Sequence, residues 1–135
     1  MFETTPYLTL AGAQQLIAAA EGAAAKNKWN VAVAIVDAGA NLLAFQKMDG
    51  TQVGSIDVAI GKACTAVKFK RSTKVMEDMI AGGKQAFLAV DGIVPVQGGL
   101  PIESDGVVVG AIGISGLTSA QDEEVAAAAL SALES

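Results

Sequence analysis

The stretch GIVPVQGGLPIESDGVVVGAIGISG, residues 92–116, decides the fold. Its second half, Val107–Ser115, is apolar at nearly every position, as in a central strand that is covered on both faces. Asp105-Gly106 separates this run from a shorter extended run at residues 100–103, and Asp-Gly between apolar runs predicts a tight hairpin. Gly113 lies inside the predicted strand. We therefore expect close approach there, either by a ligand or by a packed helix.

Patterns on both sides of this hairpin complete an α+β fold. Helical spacing covers residues 9–28, 51–71, 72–80 and the segment after Thr118, and strand patterns cover residues 29–37, 42–48 and 86–90. Thr9 suits the first cap, Thr118 and Gln121 form a capping box, and either Ser55 or Thr51 is expected to cap the second helix. Because hairpins dominate, we expect a mainly antiparallel sheet with helices packed on it, in a single domain over residues 1–135.

Composition excludes several classes of function. With 9 basic and 14 acidic residues the net charge is −5, which disfavours nucleic acid and anionic membranes as partners. The N-terminus has no targeting signal, no apolar run is long enough for a membrane span, and Cys64 is the only cysteine, so a cytoplasmic, reduced location is expected. Histidine is absent, which removes the usual general base and the commonest zinc ligand, and no metal site is predicted.

Two loops carry residues suited to binding a ligand. Between Pro95 and Pro101, the backbone amides of Gly98 and Gly99 could hold a carboxylate or phosphate, although an ordinary turn is an equal alternative. Met48 and Asp49 close the second strand, and their alternative interpretation is a turn followed by a helix start.

Two helical positions are the other candidates. Lys62 and Thr65 lie one turn apart, and Lys62 could neutralise an anionic ligand or act as an amine nucleophile, unless it is simply solvated. Gln121 and Asp122 are suited to a ligand too, but capping and helix-dipole chemistry already explain them. Ser115 faces either a pocket or a helix.

Taken together, these motifs resemble the GlcG/HbpS family, also called the DUF336 or heme-degrading domain family. The resemblance rests on Ile35-Val36-Asp37-Ala38-Gly39, Leu42-Leu43-Ala44, Met48-Asp49-Gly50-Thr51, Lys62-Ala63-Cys64-Thr65-Ala66, Gly98-Gly99-Leu100-Pro101-Ile102, Gly110-Ala111-Ile112-Gly113-Ile114-Ser115-Gly116 and Gln121-Asp122-Glu123. It covers nearly the whole chain.

The resemblance implies a profilin-like fold, with a five-stranded antiparallel sheet flanked by helices, and homo-oligomers of up to eight subunits. It also implies a link to heme binding, heme degradation, or the catabolism of glycolate, diols or glycerol. This chain departs from the family in having no histidine for heme iron. The residues that could ligate the iron instead are Tyr7, Met48, Cys64, Met76, Met79 or a lysine.

Three hypotheses of function follow. The first is a small-ligand-binding protein whose pocket lies near a subunit interface and takes heme, another tetrapyrrole or an acidic metabolite. The second is an enzyme acting on a small organic acid or carbonyl compound, with Lys62 or Asp49 as the acid–base group and loop amides stabilising an oxyanion. The third is a structural or regulatory oligomer without a ligand.

Overall fold

Four α-helices, four strands and one 3₁₀ turn make up the part of the chain that the structure, a computed structural model, describes, residues 1–134. In chain order they are α1 (Leu10–Lys26), β1 (Ala32–Asp37), β2 (Leu42–Lys47), α2 (Ser55–Phe69), α3 (Thr73–Ala81), the 3₁₀ turn (Gln85–Ala89), β3 (Gly99–Ser104), β4 (Val107–Ser115) and α4 (Ser119–Glu134). None of the helices in this part of the chain has the length and apolar character needed to cross a membrane.

The strands form an antiparallel sheet in the order β2-β1-β4-β3, so that β4 lies between β1 and β3. This confirms the prediction that Val107–Ser115 is a central strand, and Val109 to Ser115 are all buried. The β3–β4 turn also forms as predicted. Asp105 and Gly106 both have positive φ, 51° and 79°, which is the conformation that Asp-Gly favours in a tight hairpin.

The prediction of five strands was wrong, because the described sheet has four. Residues 86–90 were expected to be the additional strand, and they instead lie in and just after the 3₁₀ turn Gln85–Ala89. A short apolar run does not by itself distinguish a strand from a helical turn. This run packs mainly on α3, and only Phe87 is half-buried, so it lacks the neighbouring strand that would extend it.

Each face of the sheet is covered by its own helices. On one face, α1 and α4 pack over side chains that include Val33, Ile35 and Ile112. On the other face, α2 packs over a smaller cluster rich in alanine. A Cβ placed on Gly113 would collide with the backbone of Ala59 and Ala63 in α2. Close approach at Gly113 is therefore made by a helix and not by a ligand.

Helix starts agree with the sequence at two places and differ at a third. Thr9 Oγ1 accepts a 3.0 Å hydrogen bond from the Gly12 amide at α1. At α4 the side chains of Thr118 and Gln121 each accept from the other's backbone amide, at 3.3 and 3.2 Å. By contrast, α2 starts after Gly54 without a side-chain cap, so the expectation of a hydroxyl cap was wrong there. The expected capping hydroxyls of Thr51 and Ser55 are buried, with no hydrogen-bond partner among residues 1–134.

Candidate functional site

Lys62 is the most deeply buried charged residue of the predicted site. It lies on α2 and is only 1% exposed. Its Nζ donates to the carbonyl oxygen of Ile114 at 2.9 Å and to Oδ2 of Asp122 at 3.0 Å. The ammonium group therefore ties α2 to the end of β4 and to the first turn of α4. The Lys62 side chain is therefore neither solvated nor a freely accessible amine.

Asp122 completes the ion pair from the opposite face of the sheet. Its Oδ1 accepts a 3.0 Å hydrogen bond from the Leu117 amide, so both carboxylate oxygens are engaged. Burial raises the pKa of Asp122 above its ordinary value, and the opposing effects of the Lys62 charge and the Leu117 amide offset only part of that rise. We call Lys62, Asp122 and their two backbone partners, Ile114 and Leu117, the lysine brace.

The Gly98-Gly99 loop lies directly against the lysine brace. Gly98 has φ +135°, and a Cβ at this position would lie 2.7 Å from Lys62 Nζ and 2.8 Å from the Ile114 carbonyl oxygen. The Gly99 amide donates to Oγ1 of Thr73 at 2.9 Å. Glycine is required here for close packing, and the Gly99 amide is used internally rather than turned towards a ligand.

Two further predicted residues, Thr65 and Gln121, fix the segments around the brace. Thr65 Oγ1 donates to the Gly61 carbonyl at 2.7 Å and accepts from the Val94 amide at 2.8 Å. Thr65 thereby anchors the chain just before Pro95. Gln121 serves the cap of α4. These contacts give both side chains positioning roles.

Met48 and Asp49 lie elsewhere, in a surface groove. Two cavities adjoin there and share Asn30, with volumes of about 390 and 320 Å³. Glu21, Gln46, Lys47, Met48 and Asp49 line the first cavity. Lys28, Trp29, Gly50, Thr51, Gln52, Gly116 and Leu117 line the second. We call the combined depression the Met48 groove.

The lysine brace and the Met48 groove meet at Leu117. The Leu117 amide is held by Asp122, while Leu117 and Gly116 line one wall of the groove. Ser115, just before this wall, is 7% exposed at the end of β4. The buried ion pair thus supports a wall of the groove without itself lining it.

Sequence reasoning missed most of the groove. Trp29, Asn30 and the two lysines at 28 and 47 were not candidates, although Trp29 is the only tryptophan and stands between a helix and a strand. The predicted acid–base residues, Lys62 and Asp49, are not brought together, since Lys62 is buried and Asp49 is exposed.

Comparison with known proteins places the chain in a family. The family described as haem degrading protein HbpS-like matches residues 8–131. This chain belongs to the HbpS-like family. Among curated HbpS-like relatives, protein GlcG of Escherichia coli strain K12 is 39% identical over 103 residues, which cover 76% of this chain and 77% of GlcG.

Solved structures of the same family have the same fold. Klebsiella pneumoniae protein ORFY, a DUF336 protein, superposes with a TM-score of 0.92 at 33% identity, covering 100% of this chain and 97% of ORFY. The structure described as the PduOC:Heme complex superposes with a TM-score of 0.86 at 30% identity, covering 94% of this chain and 95% of that chain.

Proposed function

We propose that this chain binds a tetrapyrrole, specifically heme, as a small-ligand-binding member of the HbpS-like family. The observation that carries the proposal is the likeness, over 94% of the chain, to a relative described in complex with heme. Family membership over residues 8–131 supports it.

Met48 is the side chain that we propose would contact the iron in place of histidine. It is half-buried in the Met48 groove, and methionine sulfur is an established axial ligand in heme proteins. Met76, by comparison, lies by a space of only about 160 Å³. Two other candidate iron ligands are already engaged within the protein. Cys64 Sγ contacts the Ala40 carbonyl at 3.6 Å, and Lys62 is held in the lysine brace.

The rest of the Met48 groove suits a flat ligand that carries carboxylates. Trp29 supplies an indole ring beside one of the two cavities, and an aromatic face favours contact with a flat conjugated ring. Lys28 and Lys47 would pair with propionate groups, although Glu21 and Asp49 in the same groove balance their charge. Pockets of about 300–1,000 Å³ are typical for small molecules, and both cavities exceed the lower bound.

A bound heme would supply iron for one-electron and oxygen chemistry, while the protein contributes binding and orientation. Lys62 is then a positioning residue, because it acts on the groove through Asp122 and Leu117. The organic-acid enzyme, with Lys62 or Asp49 as its acid–base group, gains no support from the geometry, since Lys62 is held in the buried brace and Asp49 lies on an exposed turn.

Titration with hemin, followed by the Soret band, tests this proposal. We expect a saturable band in the wild type. Met48→Leu keeps the apolar volume and removes the sulfur, so it should change the band position and weaken binding at least about tenfold, the equivalent of about 1.4 kcal/mol. Met79→Leu, on α3, is the matched control and should leave the titration unchanged.

The two outcomes test heme binding and the role of Met48 independently. A wild-type protein without a saturable Soret band would overturn tetrapyrrole binding. A normal titration of Met48→Leu would keep tetrapyrrole binding and show that the iron ligand lies elsewhere.

A further inference from the structure

A further cavity, smaller than either cavity of the Met48 groove, lies where α2 ends. It has a volume of about 160 Å³, and its walls are Phe69, Arg71, Met76 and Phe87. An apolar cavity of about 150 Å³ is enough for one benzene ring. Met76 is buried and both phenylalanines are half-buried, so a thioether and two aromatic rings are available to contact an inserted ring. We call this the ring cavity.

The rim of the ring cavity is positively charged. Arg71 is exposed, and its Nε donates to the Phe69 carbonyl at 3.1 Å, which holds the guanidinium at the rim. Lys68 and Lys70 are exposed just before it in the chain. Since the whole chain carries a net charge of −5, this local positive charge favours an occupant with a carboxylate beside its ring.

Such a ring and carboxylate occur side by side at the start of this chain. Residues 1–7 form an arm without helix or strand, in which Phe2 is 91% and Tyr7 79% exposed. Glu3 follows Phe2 directly. Pro6 restricts the arm towards extended conformations, which reduces the entropy lost when it docks.

The arm and the ring cavity lie on opposite faces of the sheet. The arm leads into α1, which packs on the same face as α4, whereas α2 packs on the other face and ends beside the cavity. Six extended residues span at most about 20 Å. Docking within one chain would take the arm around the sheet, so a second copy is the better source of the occupant.

We propose that the arm, residues 1–7, docks on the ring cavity of a second copy, with Phe2 in the cavity and Glu3 against Arg71. A two-fold axis would make the exchange reciprocal, so two arms and two cavities are used in each pair. Leu88 and Val90, which follow Phe87 within three positions of the chain, are 60% and 41% exposed and offer further apolar surface. This interface does not use the Met48 groove.

Disulfide trapping between two differently tagged chains tests this proposal. Both chains carry Cys64→Ala; one adds Glu3→Cys and the other adds Arg71→Cys. These changes leave Phe2 and the three apolar walls of the cavity, Phe69, Met76 and Phe87, intact. After mixing and mild oxidation we expect a disulfide-linked heterodimer. Replacing Arg71→Cys by Asp57→Cys, an exposed position on α2, should lower the yield at least tenfold. Equal yields from the two pairings would overturn the proposal.

Charge reversal supplies a second readout that does not depend on cysteine. Arg71→Glu should weaken self-association at least tenfold in sedimentation velocity, and Glu3→Arg in the same chain should restore it. Lys84→Glu makes the same charge change at another exposed position and should leave self-association unchanged. Self-association that is unaffected by Arg71→Glu would overturn the exchange, as would an intrachain disulfide in a monomeric Glu3→Cys/Arg71→Cys chain.

Discussion

At the scale of single residues, Lys62 and Asp122 are the clearest case of mutual dependence. Each is almost fully buried, and their charged atoms lie 3.0 Å apart. Desolvation of two charges cancels much of their attraction, so the pair itself adds little net stability. Removing one partner alone leaves an uncompensated buried charge, which is far more costly.

Asp122→Ala should therefore lower the free energy of unfolding by about 3–5 kcal/mol. The double variant Lys62→Met/Asp122→Leu, which replaces both charges with apolar side chains, should recover most of that loss. Urea denaturation of Lys62→Met, of Asp122→Leu and of the double variant measures their coupling as a double-mutant cycle.

The exposed pair Lys74 and Asp78, 2.8 Å apart, is the control. Asp78→Ala should lower the free energy of unfolding by only a small fraction of the Asp122→Ala loss, because water screens exposed charges. If the double variant at 62 and 122 were as unstable as Asp122→Ala, the account of an unpaired buried charge would be wrong.

Two aspartates should affect stability with opposite dependence on pH. Hydrogen bonds from the Asn41 amide, the Asn41 side chain and the Gly39 amide lower the pKa of Asp37, so its stabilisation is present above the ordinary carboxyl pKa and is lost as the pH falls through the lowered value. Burial raises the pKa of Asp122. Its contribution to stability is therefore greatest below the ordinary carboxyl pKa and is lost as the pH rises through the raised pKa.

Carboxyl ¹³C NMR titration should place Asp37 below and Asp122 above the ordinary aspartate range. Asp37→Ala should cost about 0.5–1 kcal/mol at neutral pH, since it removes exposed, water-screened hydrogen bonds to a charged acceptor, and the cost should shrink in acid. Asp37→Asn retains an acceptor oxygen and should lose the pH dependence. A cost of Asp37→Ala that stayed constant down to pH 2 would contradict this assignment.

At the scale of secondary-structure elements, the contact between β4 and α2 depends on a glycine. Gly113 lies opposite Ala34 of β1 and Gly99 of β3, and a side chain there would meet the α2 backbone at Ala59 and Ala63. Backbone atoms cannot rotate away as a flexible side chain can. The close packing of α2 on the sheet therefore requires the absence of a Cβ at this position.

Gly113→Ala should cost about 3 kcal/mol of unfolding free energy, near the upper end of overpacking effects. Gly22→Ala is the matched control, because Gly22 lies inside α1 with nothing within 4 Å of an added Cβ, and it should gain about 0.5–1 kcal/mol from lower backbone entropy in the unfolded state. Thermal unfolding of both variants decides the matter. If Gly113→Ala were as stable as the wild type, α2 would have to shift freely over the sheet.

At the scale of the whole molecule, ligand binding and stability are linked. If heme binds the folded chain and not the unfolded chain, hemin at 100 times its dissociation constant should add about 2.7 kcal/mol to the free energy of unfolding. At the same hemin concentration Met48→Leu should gain less. Unfolding that hemin leaves unchanged in the wild type would show that it binds both states equally or not at all.

Local signals predicted much of this molecule correctly. The hairpin at Asp105-Gly106, the helix cap at Thr9 and the capping box at Thr118 and Gln121 all depend on residues close together in the chain. The predictions that were wrong concern contacts that local sequence does not determine. Residues 86–90 lacked a strand partner, and the start of α2 carries hydroxyls that do not reach its amides.

The sequence by itself determined the order of most elements, the central strand and the family, because turn chemistry, hydrophobic period and motifs are local properties of the chain. Only the tertiary structure decided what the polar residues do. Lys62 and Asp122 are 60 positions apart, and they pair because the Lys62 side chain reaches from α2, past the end of β4, to the first turn of α4. The Met48 groove likewise joins the segment at Lys28–Asn30 to the turns at Met48–Gln52 and Gly116–Leu117. Burial and long-range proximity exist only once the chain has folded, and these two quantities separate a buried ion pair from an open binding surface.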